Sequence, residues 1–133
     1  MGIASVITLD THSWLWWVTE PAYLSDAAMN AIADADVLCI PAIVCWEMAR
    51  LVDRGRIQLA LEITEWLHRA LSDPRARLIA LSPEIAVQAN AFGDTLHRDP
   101  ADRLIVATAM ELSAPLITKD AHIQAFGGVE TVW

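Results

Sequence analysis

Short apolar segments that stop at an acid or a proline, alternating with longer amphipathic ones, constrain this chain more than any other feature. Ile3–Leu9 (I-A-S-V-I-T-L) is rich in β-branched residues and ends at Asp10. A continuous apolar run of that length reads as a strand buried on both faces. Val37–Ile40, stopped by Pro41, reads as a second strand and Arg77–Leu81 as a third. Pro115–Thr118 is a fourth, with Asp120 just beyond it, and the tail Val129–Trp133 has the composition for a fifth. Helical spacing fills the intervals. Thr11–Val18 is closed by Glu20-Pro21, and Ser25 caps an Ala-rich helix that reaches about Ala35. Pro41 suits the first turn of a helix over Ala42–Arg54. Leu59–Leu71 places Ile63, Trp66 and Leu67 on one apolar face, Ser82-Pro83-Glu84 starts a helix to about Phe92, and Asp99-Pro100 starts one to Ser113. This order predicts an α/β fold in one domain over residues 1–133. Its mostly parallel sheet of four to five strands would have helices on both faces. Ligands in such sheets bind beyond the carboxyl ends of the strands, where the strand order reverses.

Several function classes are excluded early. The chain has 133 residues, 55% of them hydrophobic, with five Gly and six Pro. A chain of about 150 residues buries roughly 70% of its unfolded surface, so a core is attainable without disulfides. Cys39 and Cys45 have no CxxC spacing and read as small buried hydrophobes in a reducing cytoplasm. The longest uncharged apolar run, Val37–Trp46, falls well short of the ~20 residues a membrane span needs. No basic region precedes the first apolar stretch, which argues against a signal peptide. Lys and Arg number 9 against 17 Asp and Glu, for a formal charge of −8. Such a chain does not coat nucleic acid by bulk electrostatics.

Attention therefore falls on the acids that end strands. Asp10 follows the first strand and Asp120 the fourth; Asp99 and Asp102 open the helix before the fourth, and Glu47 lies early in the helix after the second. All can face one end of the sheet. Carboxylates about 5 Å apart repel by roughly 3 kcal/mol per pair at an effective dielectric near 20. A hard divalent cation removes that cost, and oxygen ligands without Cys select Mg²⁺ or Mn²⁺. Simpler roles exist for some members. Asp99 is a good N-cap before an N1 proline, Asp102 favours the positive end of the same helix, and Asp120 suits a turn or cap. Glu47, inside Ile43–Ala49, is the hardest to explain by structure alone, because its surroundings read as buried. A receiver-type phosphate site would want adjacent acids after the first strand, and a dehalogenase-like phosphatase would want D-x-D; Thr11-His12 follows Asp10 instead. No G-x-x-x-x-G-K-[ST] loop is present.

Four segments carry a family resemblance: Leu9-Asp10-Thr11-His12 with Trp14-Leu15-Trp16-Trp17, then Trp46-Glu47-Met48-Ala49, the block His97–Ala109 (H-R-D-P-A-D-R-L-I-V-A-T-A), and Leu116–Asp120. In order and spacing the chain resembles PIN domains, specifically the VapC-type toxin ribonucleases of toxin–antitoxin modules. The resemblance implies an α/β/α sandwich and Mg²⁺- or Mn²⁺-dependent cleavage of RNA, with one or two ions per site. It assigns catalysis and metal binding to Asp10, Glu47, Asp102 and Asp120. Asp102 is matched because it stands three residues before Ile105; Asp99, Thr11 and Thr118 are supporting residues. Two bound divalent ions would still leave the chain net negative, so a local basic rim has to meet the RNA. Candidates are Arg50, Arg54 and Arg56 on the Glu47 helix, Arg98 and Arg103 beside the acidic block, and His97. His12 and His97 otherwise read as structural. Trp14, Trp16 and Trp17 could stack bases, but after a strand they read rather as core or partner-interface residues. The resemblance also implies a homodimer and a cognate antitoxin, which apolar surface at Trp14, Trp17, Tyr23 and Leu51 would suit. The alternatives are a non-catalytic partner-binding protein of this fold and a housekeeping nuclease outside a toxin–antitoxin module.

Overall fold

A computed structural model describes residues 4–133. Five strands form one parallel sheet: β1 (Val6–Leu9), β2 (Val37–Pro41), β3 (Ala76–Ile79), β4 (Leu116–Ile117) and β5 (Thr131–Val132). Seven α-helices connect them: α1 (Thr11–Thr19), α2 (Asp26–Asp34), α3 (Ala42–Asp53), α4 (Ile63–Ala70), α5 (Pro83–Ala91), α6 (Pro100–Leu112) and α7 (Ala121–Phe126). The spatial order is β3-β2-β1-β4-β5. The chain builds outward from β1 to β3, returns through α5 and α6, and continues on the other side of β1. The order therefore reverses between β1 and β4, which is where a parallel sheet opens a crevice for a ligand.

Central strands are apolar because they have no solvent face. Leu9 and Ile40 are fully buried, as are Leu116 and Ile117. Around them pack Val44 and Met48 of α3 and Ile105 and Val106 of α6, all without exposure. The edge strand β3 behaves differently, leaving Arg77 and Leu78 exposed. Trp14 is core rather than interface: it is buried, and its ring meets Trp66 edge-on at 5.4 Å. Of the two roles the sequence leaves open to Trp14, burial selects the core, so it offers no apolar surface to a partner.

Most predicted elements are present, with shifted ends. The first strand begins at Val6, and Ile3 lies outside the described residues. Pro41 is the last residue of β2 and caps α3 from outside, rather than sitting in its first turn. The helix expected over Leu59–Leu71 starts only at Ile63. Glu62 stops it earlier by accepting the N–H groups of Thr64 and Glu65, while Leu59 and Leu61 pack on the core without helical structure. Helix α7 was not foreseen. None of the described helices is long and apolar enough to cross a membrane.

Candidate active site

The carboxyl ends of β1 and β4 and the start of α6 deliver the acids to one place, and helix capping aims several of them. Asp10 caps α1: its Oδ1 accepts the Ser13 N–H at 2.9 Å, while the Ser13 hydroxyl donates to the Ile117 carbonyl at 2.9 Å. The turn after β1 is thus tied to β4. Asp99 caps α6 through Oδ1, from Ala101 and Asp102 N–H, and Asp120 caps α7 through Oδ1, from His122 and Ile123 N–H. Within the described residues the second oxygen of Asp99 and of Asp120 makes no hydrogen bond. Capping uses only Oδ1 of each side chain and leaves Oδ2 available.

Two groups of ligand atoms converge, each with its members within 4.8 Å of one another: Glu47, Asp99 and Asp102, and His97, Asp102 and Asp120. Asp102 belongs to both. Asp10 belongs to neither, yet its negative charge helps raise the pKa of both Glu47 and Asp102. The two threonines set individual acids. Thr11 donates its hydroxyl to Oε1 of Glu47 across the gap between α1 and α3. The Thr118 hydroxyl accepts the Asp120 N–H at 3.1 Å.

The electrostatics are those of crowded like charge. Burial raises the pKa of Asp10, against the hydroxyls of Thr118 and Ser13. Burial also raises Glu47, opposed by the Thr11 hydrogen bond and reinforced by Asp99. Asp102 is pushed up to about 7, first by burial and then by the charges of Asp99, Glu47, Asp120 and Asp10. A carboxyl raised by burial and by four neighbouring acids marks a place where positive charge would be stabilised. Carboxylate oxygens with one imidazole nitrogen form a donor set that fits a hard divalent cation.

A family model for the PIN domain matches residues 7–129. This chain belongs to the PIN domain family. Over 121 residues it is 40% identical to ribonuclease VapC22 of Mycobacterium tuberculosis (strain ATCC 25618 / H37Rv), covering 91% of this chain and 92% of that one. Solved structures share the fold at lower identity. DNA-bound VapBC from Salmonella typhimurium has a TM-score of 0.70 at 15% identity, over 97% of both chains. VapBC2 from Rickettsia felis, bound to a promoter DNA fragment, has 0.69 at 17%, over 95% of this chain and 96% of that one. A toxin–antitoxin complex from Klebsiella pneumoniae has 0.67 at 21%, over 92% and 94%.

The basic residues of this PIN domain divide into engaged and free. Arg103 departs from the expectation of a substrate contact. Its guanidinium donates to the carbonyls of His97 (2.9 Å), Leu96 (2.7 Å) and Gly93, so it clamps the loop between α5 and α6. Arg98 pairs with Asp94 at 3.0 Å on the surface. Arg50 lies over the Trp46 ring, 5.2 Å from its centre. From sequence His97 reads as structural or substrate-binding. Its Nε2 is buried 3.2 Å from Oδ2 of Asp102, off hydrogen-bond geometry. Only its nearness to Asp102 in sequence hinted at that contact.

Proposed function

We propose that this PIN domain is a divalent-metal-dependent endoribonuclease, the toxin of a toxin–antitoxin pair. The observation that carries the reading is Asp102, shared by two ligand groups at the point where strand order reverses. The likeness to a protein named as a ribonuclease supports it. Asp10, Glu47, Asp102 and Asp120 would hold one or two Mg²⁺ or Mn²⁺ ions, with Asp99 and His97 beside them. When bound, such an ion supplies positive charge against the phosphate and leaving oxygens of a phosphodiester. The protein does the positioning. Thr11 fixes Oε1 of Glu47, so the carboxylate can orient the attacking water and accept its proton. Thr118 holds the turn that carries Asp120. The Arg103 clamp holds the loop that carries His97 against the acids.

VapBC and toxin–antitoxin complexes among the structural neighbours support an antitoxin partner; the homodimer rests on the family resemblance. Exposed Tyr23, Trp46 and Leu81 offer apolar surface for such contacts. The reading is tested by incubating structured and single-stranded RNA with the protein in Mg²⁺, Mn²⁺ or EDTA, beside Asp10→Asn. Cleavage that needs the metal and is lost in the variant is the expected result. Failure of the folded protein to bind either ion would overturn the catalytic reading and favour a partner-binding role.

A further inference from the structure

We propose that RNA approaches the acid cluster from one side only, with its phosphates over Arg50, Arg54 and Arg56. This inference rests on the ribonuclease reading above and adds the substrate's path. Most cations among the described residues are already engaged. Arg69 pairs with Glu65 at 3.1 Å, Arg75 with Asp73 at 3.2 Å and Arg98 with Asp94 at 3.0 Å, so each pair carries no net charge. Arg77 donates to the carbonyls of Pro74 and Ala76, and Arg103 is the loop clamp. Only Arg50, Arg54, Arg56 and Lys119 have neither a carboxylate nor a carbonyl partner among the described residues. Three of these four line a single cavity of about 400 Å³, with His12 and Glu47 also in its wall.

The placement is written in the sequence. Glu47, Arg50 and Arg54 follow at i, i+3 and i+7 and form one stripe of α3, extending about 10 Å at 1.5 Å per residue. Gly55, with φ +67°, turns the chain so that Arg56 closes the far end. The stripe leads away from a carboxylate of the site. Three guanidinium groups are suited to phosphate by their planar, forked donors. Beside α5 and α6, Arg98 is paired with Asp94 and the donors of Arg103 are taken up by carbonyls. The formal charge of −8 repels RNA in bulk, and three of the four unpartnered cations gather on the α3 side, with Lys119 apart from them over the Trp16 ring.

The test uses the full chain carrying Asp10→Asn, which keeps RNA intact, and a short fluorescein-labelled single-stranded RNA followed by anisotropy across a KCl series. Each phosphate neutralised on a single strand contributes about 0.7 to the slope of log K against log salt. The triple variant Arg50→Gln/Arg54→Gln/Arg56→Gln is expected to lower that slope by about 2 and to bind at least about tenfold more weakly at low salt. Arg98→Gln beside α6, and Arg69→Gln far from the site, should leave the slope unchanged. An unchanged slope in the triple variant, or an equal loss in Arg98→Gln, overturns the one-sided path. If the wild-type protein, with Asp10 in place, still cleaves RNA in that case, the ribonuclease reading survives alone. If it neither cleaves nor binds RNA, both fall.

Discussion

Replacing Asp102 by Asn should stabilise the metal-free protein at neutral pH. In the folded chain the Asp102 carboxyl is raised from 3.8 to about 7, and its side chain is 23% exposed. A carboxyl whose pKa is higher folded than unfolded binds extra protons in the native state. Its stabilising contribution is complete below about pH 4 and is lost as pH rises through 7. A shift of about three pKa units at roughly 1.4 kcal/mol each sets a ceiling of about 4 kcal/mol above pH 7. Relaxation of the cluster and access of water reduce the expected gain in Asp102→Asn to about 1–3 kcal/mol. Urea unfolding in EDTA at pH 5 and pH 7.5 measures this: wild type should lose stability between the two pH values, and the variant should lose less. Part of the pH dependence should survive in the variant, because Asp10 and Glu47 are raised in the same direction. Adding Mn²⁺ at about 100 times its Kd should restore about 3 kcal/mol to wild type at pH 7.5, and much less to Asp102→Asn. A variant that is less stable than wild type in EDTA at pH 7.5 would refute the picture of mutually repelling acids.

Three further perturbations separate the roles assigned above. Glu47→Gln should lower metal-dependent RNA cleavage by at least about 100-fold with unchanged circular dichroism; retained activity would remove Glu47 from the mechanism. Thr11→Val deletes the only hydroxyl donor found on Glu47 in the described residues. It should cost about 1 kcal/mol of stability and slow turnover with little change in RNA affinity, whereas a pure affinity loss would contradict its positioning role. Arg103→Met should destabilise the chain by about 2 kcal/mol, since several carbonyls lose their donor, while RNA affinity in the Asp10→Asn background stays constant. Unchanged stability with weakened RNA binding would instead make Arg103 a substrate contact.

Features decided locally were legible from the sequence, and features decided across the fold were not. Strands β1 and β2 were readable because strands buried on both faces are nearly continuous in apolar residues. Asp10, Asp99, Asp102 and Asp120 were readable because each follows a strand or opens a helix, and Glu47 because a charge inside an apolar stretch of α3 stands out. The Leu59–Leu61 stretch mimicked helical spacing, since apolar residues that pack on a core as irregular chain leave the same trace. Helix α7 has only six residues and almost no periodicity. Its signal lay in its ends, with Asp120 as cap before it and Gly127 in the left-handed region after it. The Arg103 clamp was hidden because a guanidinium beside an acidic block looks the same in sequence whether it reaches a ligand or its own backbone. Trp14 illustrates the same limit: one aromatic among three close neighbours, sorted into the core only by its meeting with Trp66.

The acids that cap helices also shape how such a protein can be silenced. Asparagine caps a helix about as well as aspartate, whereas alanine at such a position costs about 1 kcal/mol. At Asp10, Asp99 or Asp120 a single-step exchange of Asp for Asn removes a negative charge from the cluster and keeps the hydrogen bonds that start a helix. The inactive chain would keep its shape and its outer surfaces. Whatever protein recognises those surfaces would go on binding it, so a disarmed copy could compete with an armed one for the same partner.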